Sequence, residues 1–142
     1  MRHTGLAEMQ ASAPLPTAPI KALAYADAVA AGLPLSALER LVRSLSPEDE
    51  GLRFAFVPRP TLARRQHQKR LSPEESARVA RVAAVFDLAR EAWGSDAEAR
   101  AFLRRPHPLL EDRTPLELSL ATDVGARIVE NLLGRLMHGT AA

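Results

Sequence analysis

Three groups of side chains in this 142-residue sequence could carry chemistry: four histidines, two pairs of adjacent acids and one run of cations. His3, His67, His107 and His138 show no HxxxH or HExxH spacing, so they outline no metal site. Glu48-Asp49 and Glu74-Glu75 could pass for paired general acids and bases. Each pair follows a Ser-Pro step, however, where first-turn acids serve the positive end of a helix dipole. No serine sits in a nucleophile elbow, and P-loop and dinucleotide glycine motifs are absent. The chain has no cysteine, which excludes disulfides and thiolate zinc sites. The sequence therefore predicts no catalytic residue, no metal and no cofactor, and a protein that is not an enzyme.

The cations are more informative. Between Glu50 and Glu74 there is no acid, yet Arg53, Arg59, Arg64, Arg65, Lys69 and Arg70 all occur there. Elsewhere acids and bases alternate, and the net charge is only +2. A local excess of this kind attracts phosphate, and arginine adds bidentate reach to guanine edges. Two short helices flanking a proline-marked turn would carry this excess, the second opening at Thr61. In a helix-turn-helix, early residues of the second helix meet base edges while later cations hold the backbone. The candidate DNA contacts are Arg59, Thr61, Arg64, Arg65, Gln68, Lys69 and Arg70. The alternative is a solvated connector whose charge keeps the protein soluble.

Helices must position these residues. Pro14, Pro16 and Pro19 among Ala, Ser and Thr predict a flexible or extended arm over residues 1–19. A short apolar helix is expected from about Ile20 to Ala31, stopped by Gly32. Leu35, Leu38, Leu41, Val42 and Leu45 line one face of the next. Ser46-Pro47-Glu48-Asp49 predicts another helix start, ended before Pro58 and Pro60. Ser72-Pro73-Glu74-Glu75 is a capping box for a long, broadly apolar helix to Trp93, with Gly94 as its stop. Trp93 is expected in the core, as are the stops Gly94 and Gly139 at helix ends. Asp96 to Arg104 forms a further helix, Thr114-Pro115 caps one more turn, and a final helix covers about Asp123 to Met137. Val124, Ile128, Val129, Leu132, Leu133 and Leu136 are its expected inner face, with Arg127, Glu130, Asn131 and Arg135 outside.

Nearly half the residues are apolar but only six are aromatic, so Ala, Leu and Val must build the core. That balance favours closely approaching helices over strands. Glu8 and Gln10 interrupt any signal-peptide core, and no apolar run approaches the eighteen or so residues of a membrane helix. A cytoplasmic protein with no membrane association is expected. The fold class is all-α. The expected division is an arm (1–19), a helix-turn-helix-like DNA-binding part (20–70) and a compact helical domain (71–142).

The later landmarks occur in a distinctive order. Pro58-Arg59-Pro60-Thr61-Leu62-Ala63-Arg64-Arg65 is followed by Arg70-Leu71-Ser72, then Trp93-Gly94, Pro106 with Leu109, and Thr114-Pro115-Leu116. Gly125-Ala126-Arg127, Gly134-Arg135 and His138-Gly139 close the series. Over roughly residues 57–139 this order resembles the Xre/MbcA/ParS family of bacterial antitoxins, with an Xre-like helix-turn-helix preceding a toxin-binding domain. The chain departs from the usual helix-turn-helix in having Phe54-Ala55-Phe56-Val57 where a small residue, often Gly, occupies the turn. The resemblance implies a helical domain that docks on a RES-fold toxin and covers its nicotinamide-dinucleotide site, with no catalytic group of its own. It implies that Arg127, Asn131, Arg135, His138 and Gly139 touch the toxin. It also implies autorepression at operator DNA by a homodimer within a toxin–antitoxin hetero-oligomer. Arg127 and Arg135 read equally well as a plain solvated face. A stand-alone helix-turn-helix regulator and a protein-binding module without DNA affinity are the other readings.

Overall fold

The computed structural model describes residues 19–139. Residues 1–18 of the predicted arm, and the part of the predicted toxin contact beyond Gly139, lie outside them, while Pro19, placed at the end of that arm, opens the first helix. Among the described residues there are eight α-helices and no strand: α1 (Pro19–Ala31), α2 (Leu35–Leu45), α3 (Arg53–Phe56), α4 (Arg59–Gln68), α5 (Pro73–Trp93), α6 (Asp96–Arg104), α7 (Pro115–Ala121) and α8 (Asp123–His138). Short 3-10 turns at Glu50–Leu52 and Pro108–Leu110 complete the path. The fold is all-α, as the sequence predicts.

α5 is the axis of the molecule. It packs against α1, α2 and α3 on the N-terminal side and against α6, α7 and α8 on the C-terminal side. Its buried residues Val79, Val82, Ala83, Val85, Phe86 and Ala89 cover more than one face, so a single hydrophobic cluster runs from Leu33 to Leu133. Such a helix gains its stability from tertiary burial rather than from propensity. The start of α5 is fixed locally: Ser72 Oγ accepts from Glu75 N at 3.1 Å while Glu75 Oε1 accepts from Ser72 N at 2.8 Å. α7 opens with the same reciprocal box, between Thr114 and Glu117.

Arginines close several helix ends. The last carbonyls of a helix have no partner within it. Arg78 donates to Phe56 O at 2.7 Å at the end of α3, and Arg100 to Ser44 O at 3.3 Å near the end of α2. Arg81 donates to Ser119 O at 2.7 Å and Leu120 O at 2.5 Å at the end of α7. Each bond places a cation at the negative end of a helix dipole and ties two elements together.

Four local expectations change. Ser46 does not open a helix: its N–H closes α2 on Val42 O, and Asp49 caps the following 3-10 turn by accepting from Gly51 N at 2.8 Å. Thr61 does not open α4, which begins two residues earlier at Arg59 with Pro60 in its first turn, where proline leaves no intrahelical bond unmade. Trp93 is 40% exposed, because the last turn of α5 projects past the core. The inner face of α8 is rotated from the expected one: Gly125, Ala126, Val129, Leu132 and Leu133 are buried, while Val124, Ile128 and Leu136 are exposed.

The reason for that rotation is the α7–α8 corner. Thr122 ends α7 and caps α8 through Gly125 N at 2.9 Å, so the two helices meet with no linker. A Cβ on Gly125 would stand 2.1 Å from Leu118 O, so only glycine allows this approach. Gly134, by contrast, has nothing within 4 Å of its missing Cβ. Gly125→Ala is expected to destabilise the fold by about 2–3 kcal/mol, as overpacking against backbone does. Gly134→Ala should stabilise it by about 0.5–1 kcal/mol through helix propensity. Urea unfolding of both variants, followed by far-UV circular dichroism, checks the pair.

Candidate nucleic-acid and partner interfaces

The predicted DNA residues divide into those that α4 presents outward and those the fold consumes. Arg59 is exposed and lies over the Phe54 ring at 3.9 Å, with Arg53 also over that ring at 5.1 Å. Phe54 thereby holds a guanidinium at the mouth of α4, an attraction worth about 0.5–1 kcal/mol at an exposed site. Arg64 is exposed beside Ala63 and His67, one and three residues from it on the open face of the helix. Lys69 is exposed at the end of α4 in the left-handed conformation, φ 59°. Thr61 is half-buried and turns toward the start of α5, sharing a depression with Ser72, Glu75 and Arg78.

Arg65 and Arg70 have structural partners. Arg65 meets Glu75 in a two-pronged pair, Nε to Oε1 at 2.7 Å and Nη2 to Oε2 at 3.1 Å. Its Nη1 donates to Gln68 Oε1 at 3.1 Å, which draws Gln68 into the same network. Burial pushes the Glu75 carboxyl up, but the Arg65 guanidinium and the Ser72 donors outweigh it and hold the group below its ordinary range. The Glu75 hydrogen bond in turn raises Arg65 further above its usual value. Arg70 Nη1 donates to Gly32 O at 2.6 Å, closing the end of α1. The outward basic surface is therefore Arg59, Arg64, His67 and Lys69, with Arg70 at its edge. His67 lay in the sequence one turn beyond Ala63 and Arg64, so helical spacing alone could have added it.

The predicted toxin residues come together on α8. Arg127, Asn131, Arg135 and His138 are all exposed, as is Gly139, which ends the helix with φ 63°. Val124 (59% exposed) and Ile128 (46%) lie on this same face, since 124, 128, 131 and 135 follow the spacing of one helical stripe. Apolar periodicity assigns both to the core, whereas the 124–128–131–135 spacing places them on the face that carries Asn131 and Arg135. No acid shares the stripe: Asp123 reaches back toward Arg81 at 3.5 Å. Glu130 is half-buried, and its carboxyl is pushed up by desolvation and drawn partly back by Arg127. The face thus combines two aliphatic residues with two guanidiniums, the mixture found where a partner supplies apolar surface and acids.

Among the described residues no cluster of His, Cys, Asp and Glu could hold a metal ion, and no helix is long and apolar enough to cross a membrane.

The chain thus carries a basic outward helix in its first half and a capped helical unit in its second. Residues 24–84 match the antitoxin Xre-like helix-turn-helix domain, and residues 88–139 match the antitoxin Xre/MbcA/ParS C-terminal toxin-binding domain. The chain is 41% identical over 95 residues to an antitoxin Xre of Yersinia enterocolitica, a match covering 66% of this chain and 64% of that one. It is 33% identical over 111 residues to an antitoxin Xre of Photorhabdus laumondii, covering 76% and 74% respectively. The chain thus spans a little under two thirds of the Yersinia relative and more than two thirds of the other. It belongs to the Xre family of antitoxins.

The Arg65–Glu75 pair yields a pH-dependent expectation. A carboxyl held down by folding adds stability above its unfolded pKa of about 4.3, and that stability is lost as pH falls through the lower folded value. Wild type should weaken as the pH drops below about 4.3, and Glu75→Gln should flatten that limb. Arg65→Ala should cost about 1–2 kcal/mol at pH 7, while Arg64→Ala stays within about 0.5 kcal/mol. Thermal and urea unfolding of the three variants between pH 3 and pH 7 checks both statements.

Proposed function

We propose that this chain is the antitoxin of a type II toxin–antitoxin pair and neutralises a RES-domain toxin that consumes nicotinamide dinucleotide. Residues 71–142 form the toxin-binding domain, and residues 20–70 form the unit that binds operator DNA and represses the pair's own transcription. The chain acts in the cytoplasm as a homodimer within a larger hetero-oligomer, and it catalyses nothing. The observation that carries this reading is the open face of α8, where Arg127, Asn131 and Arg135 share a stripe with exposed Val124 and Ile128. A guanidinium delivered to a dinucleotide pocket can stand where a substrate phosphate would be paired or can meet the pocket's acids. Apolar neighbours exclude water around it, which strengthens both effects.

The direct test is growth of a host expressing the neighbouring RES-type protein, with and without this chain, while cellular dinucleotide is followed. Arrest and dinucleotide loss that the chain prevents are expected; toxicity that it fails to relieve removes the pairing. Ile128→Asp and Arg135→Glu should each weaken the complex by about 2 kcal/mol or more, as at interface hot spots. Their unfolding should shift by no more than about 0.5 kcal/mol, since both side chains are exposed. Isothermal titration of toxin against each variant reads this directly.

The DNA half of the proposal rests on Arg59, Arg64, His67 and Lys69 facing outward from α4. Arg64→Ala and Lys69→Ala should each lower the salt slope of operator binding by about 1, the loss of one phosphate contact. Fluorescence anisotropy at several salt concentrations measures the slope. The engagement of Arg65 and Arg70 inside the fold supports a second reading, a protein-binding module without DNA affinity. Wild type that shows no binding at low salt, yet still neutralises the toxin, would favour that reading.

A further inference from the structure

We propose that Arg53, Phe54 and Arg59 form a phosphate clamp for the nucleic-acid backbone, in which the Phe54 ring is the positioning residue that holds both guanidiniums ready. The inference rests on the reading of α4 as the DNA-facing helix, and it names the chemistry of a second contact beside that helix. The Arg59 guanidinium carbon lies 3.9 Å from the centre of the Phe54 ring, and that of Arg53 lies 5.1 Å from the same centre. Arg53 and Phe54 belong to α3, so the clamp spans two elements.

The turn between α3 and α4 builds this arrangement. Phe56 and Val57 are buried, and Arg78 donates to Phe56 O at 2.7 Å, so the chain leaving α3 is pinned. Pro58 and Pro60 then restrict the backbone at the entry to α4, and Leu62 N donates to Pro58 O at 2.8 Å. The chain turns back on itself there, which brings Arg59 over a ring five residues before it. Phe54 is itself partly buried against the core, so the platform is fixed.

The electrostatics say why the ligand is an anion. Two cations gathered on one ring repel each other, and among the described residues neither takes part in an ion pair. Arg53 shares a surface depression with Glu39 and Glu50 yet pairs with neither, and its Nε is buried with no hydrogen-bond partner. Arg65, Arg70, Arg78 and Arg81, by contrast, each end on a carboxylate or a carbonyl. The first turn of α4 carries no acid, so the positive end of its dipole adds to the same field. A guanidinium stacked on a ring keeps its N–H edges open, because its donors lie in its own plane. An oxyanion meets both the uncompensated charge and the open donors. A phosphodiester is the oxyanion that a DNA-facing helix brings, and arginine grips it through paired N–H···O bonds. Holding an arginine in place beforehand also reduces the rotamer entropy that binding must overcome.

The test is binding of a fluorescein-labelled, mixed-sequence DNA duplex, followed by anisotropy across a salt series. The full-length proteins are wild type, Arg53→Ala, Arg59→Ala, Phe54→Leu, Phe54→Tyr and the Phe54→Leu/Arg59→Ala pair. Phe54→Leu keeps an apolar side chain against the core but removes the ring, while Phe54→Tyr keeps the ring. Far-UV circular dichroism and thermal unfolding confirm the fold of each. Each arginine variant is expected to lower the salt slope by about 1. Phe54→Leu is expected to weaken binding about threefold, with Phe54→Tyr binding as wild type does. Arg59→Ala should cost less in the Phe54→Leu background than in wild type, since the two act as one unit. Arginine variants that keep the full salt slope overturn the clamp and leave DNA binding to Arg64 and Lys69. Arg59 is exposed, so Arg59→Ala decides that point whether or not Phe54→Leu folds. Arginine effects that are equal with and without the ring overturn the positioning role of Phe54. Wild type that fails to bind the duplex at low salt removes the DNA reading of α4 and the clamp with it.

Discussion

The first turn of α5 is the constraint on which the rest of this structure depends. Three consecutive chain directions converge there. Ser72 and Glu75 cap the helix reciprocally, Glu75 also grips Arg65 from α4, and the buried Ser76 hydroxyl accepts from Leu33 N while donating to Ser72 O at 2.7 Å. Around this point Leu35 N reaches Lys69 O at 3.1 Å and Leu71 N reaches Leu33 O at 2.8 Å, so the entries to α2 and α5 run side by side. Each of these polar groups is partly or wholly removed from water and would be costly if left unpaired. Together they set where α4 points relative to the long helix, and hence which cations face outward.

That hub explains how one small core serves two binding surfaces. α5 is apolar around most of its girth, so the helix-turn-helix elements and the C-terminal helices bury themselves against the same residues. The family matches meet inside α5, at residues 84 and 88, so the helix is common to both. Stability for either surface is then stability for both, since a loss of packing around Val82 or Phe86 is felt on each side. The arginine bonds reinforce this: Arg78 and Arg81 tie the ends of α3 and α7 to α5 itself, and Arg100 on α6 reaches across to the end of α2.

Much of the secondary structure was legible in the sequence, for reasons that are local. Ser72-Pro73 and Thr114-Pro115 specify helix starts because a hydroxyl, a fixed φ and a glutamate three residues on satisfy the first N–H groups with no help from elsewhere. Gly94 and Gly139 end helices because they adopt φ 82° and 63° without steric cost. Leu35 to Leu45 has one apolar stripe, and its bounds were read directly. Ser46-Pro47-Glu48-Asp49 misled because two residues there were able to cap. The structure uses Ser46 as the end of α2, and Asp49 is the residue that caps the turn that follows.

The sequence by itself determined the fold class, the helix ends at Ser72, Gly94, Thr114 and Gly139, and the presence of an acid-free basic segment, all of which follow from short-range sterics, capping and composition. Only the tertiary structure decided how those charges and apolar residues are used. Arg64 and Arg65 are adjacent and chemically identical, yet one faces solvent and the other is locked to Glu75, because a helix separates neighbours by about 100° and only packing against α5 sets its rotation. Ile128 and Val129 divide in the same way: the approach of Gly125 to Leu118 O turns α8 so that Val129 is buried and Ile128 is left outside. Periodicity reports that a helix has an apolar side; the contact that fixes its rotation lies in another element, and no local stretch of sequence contains it.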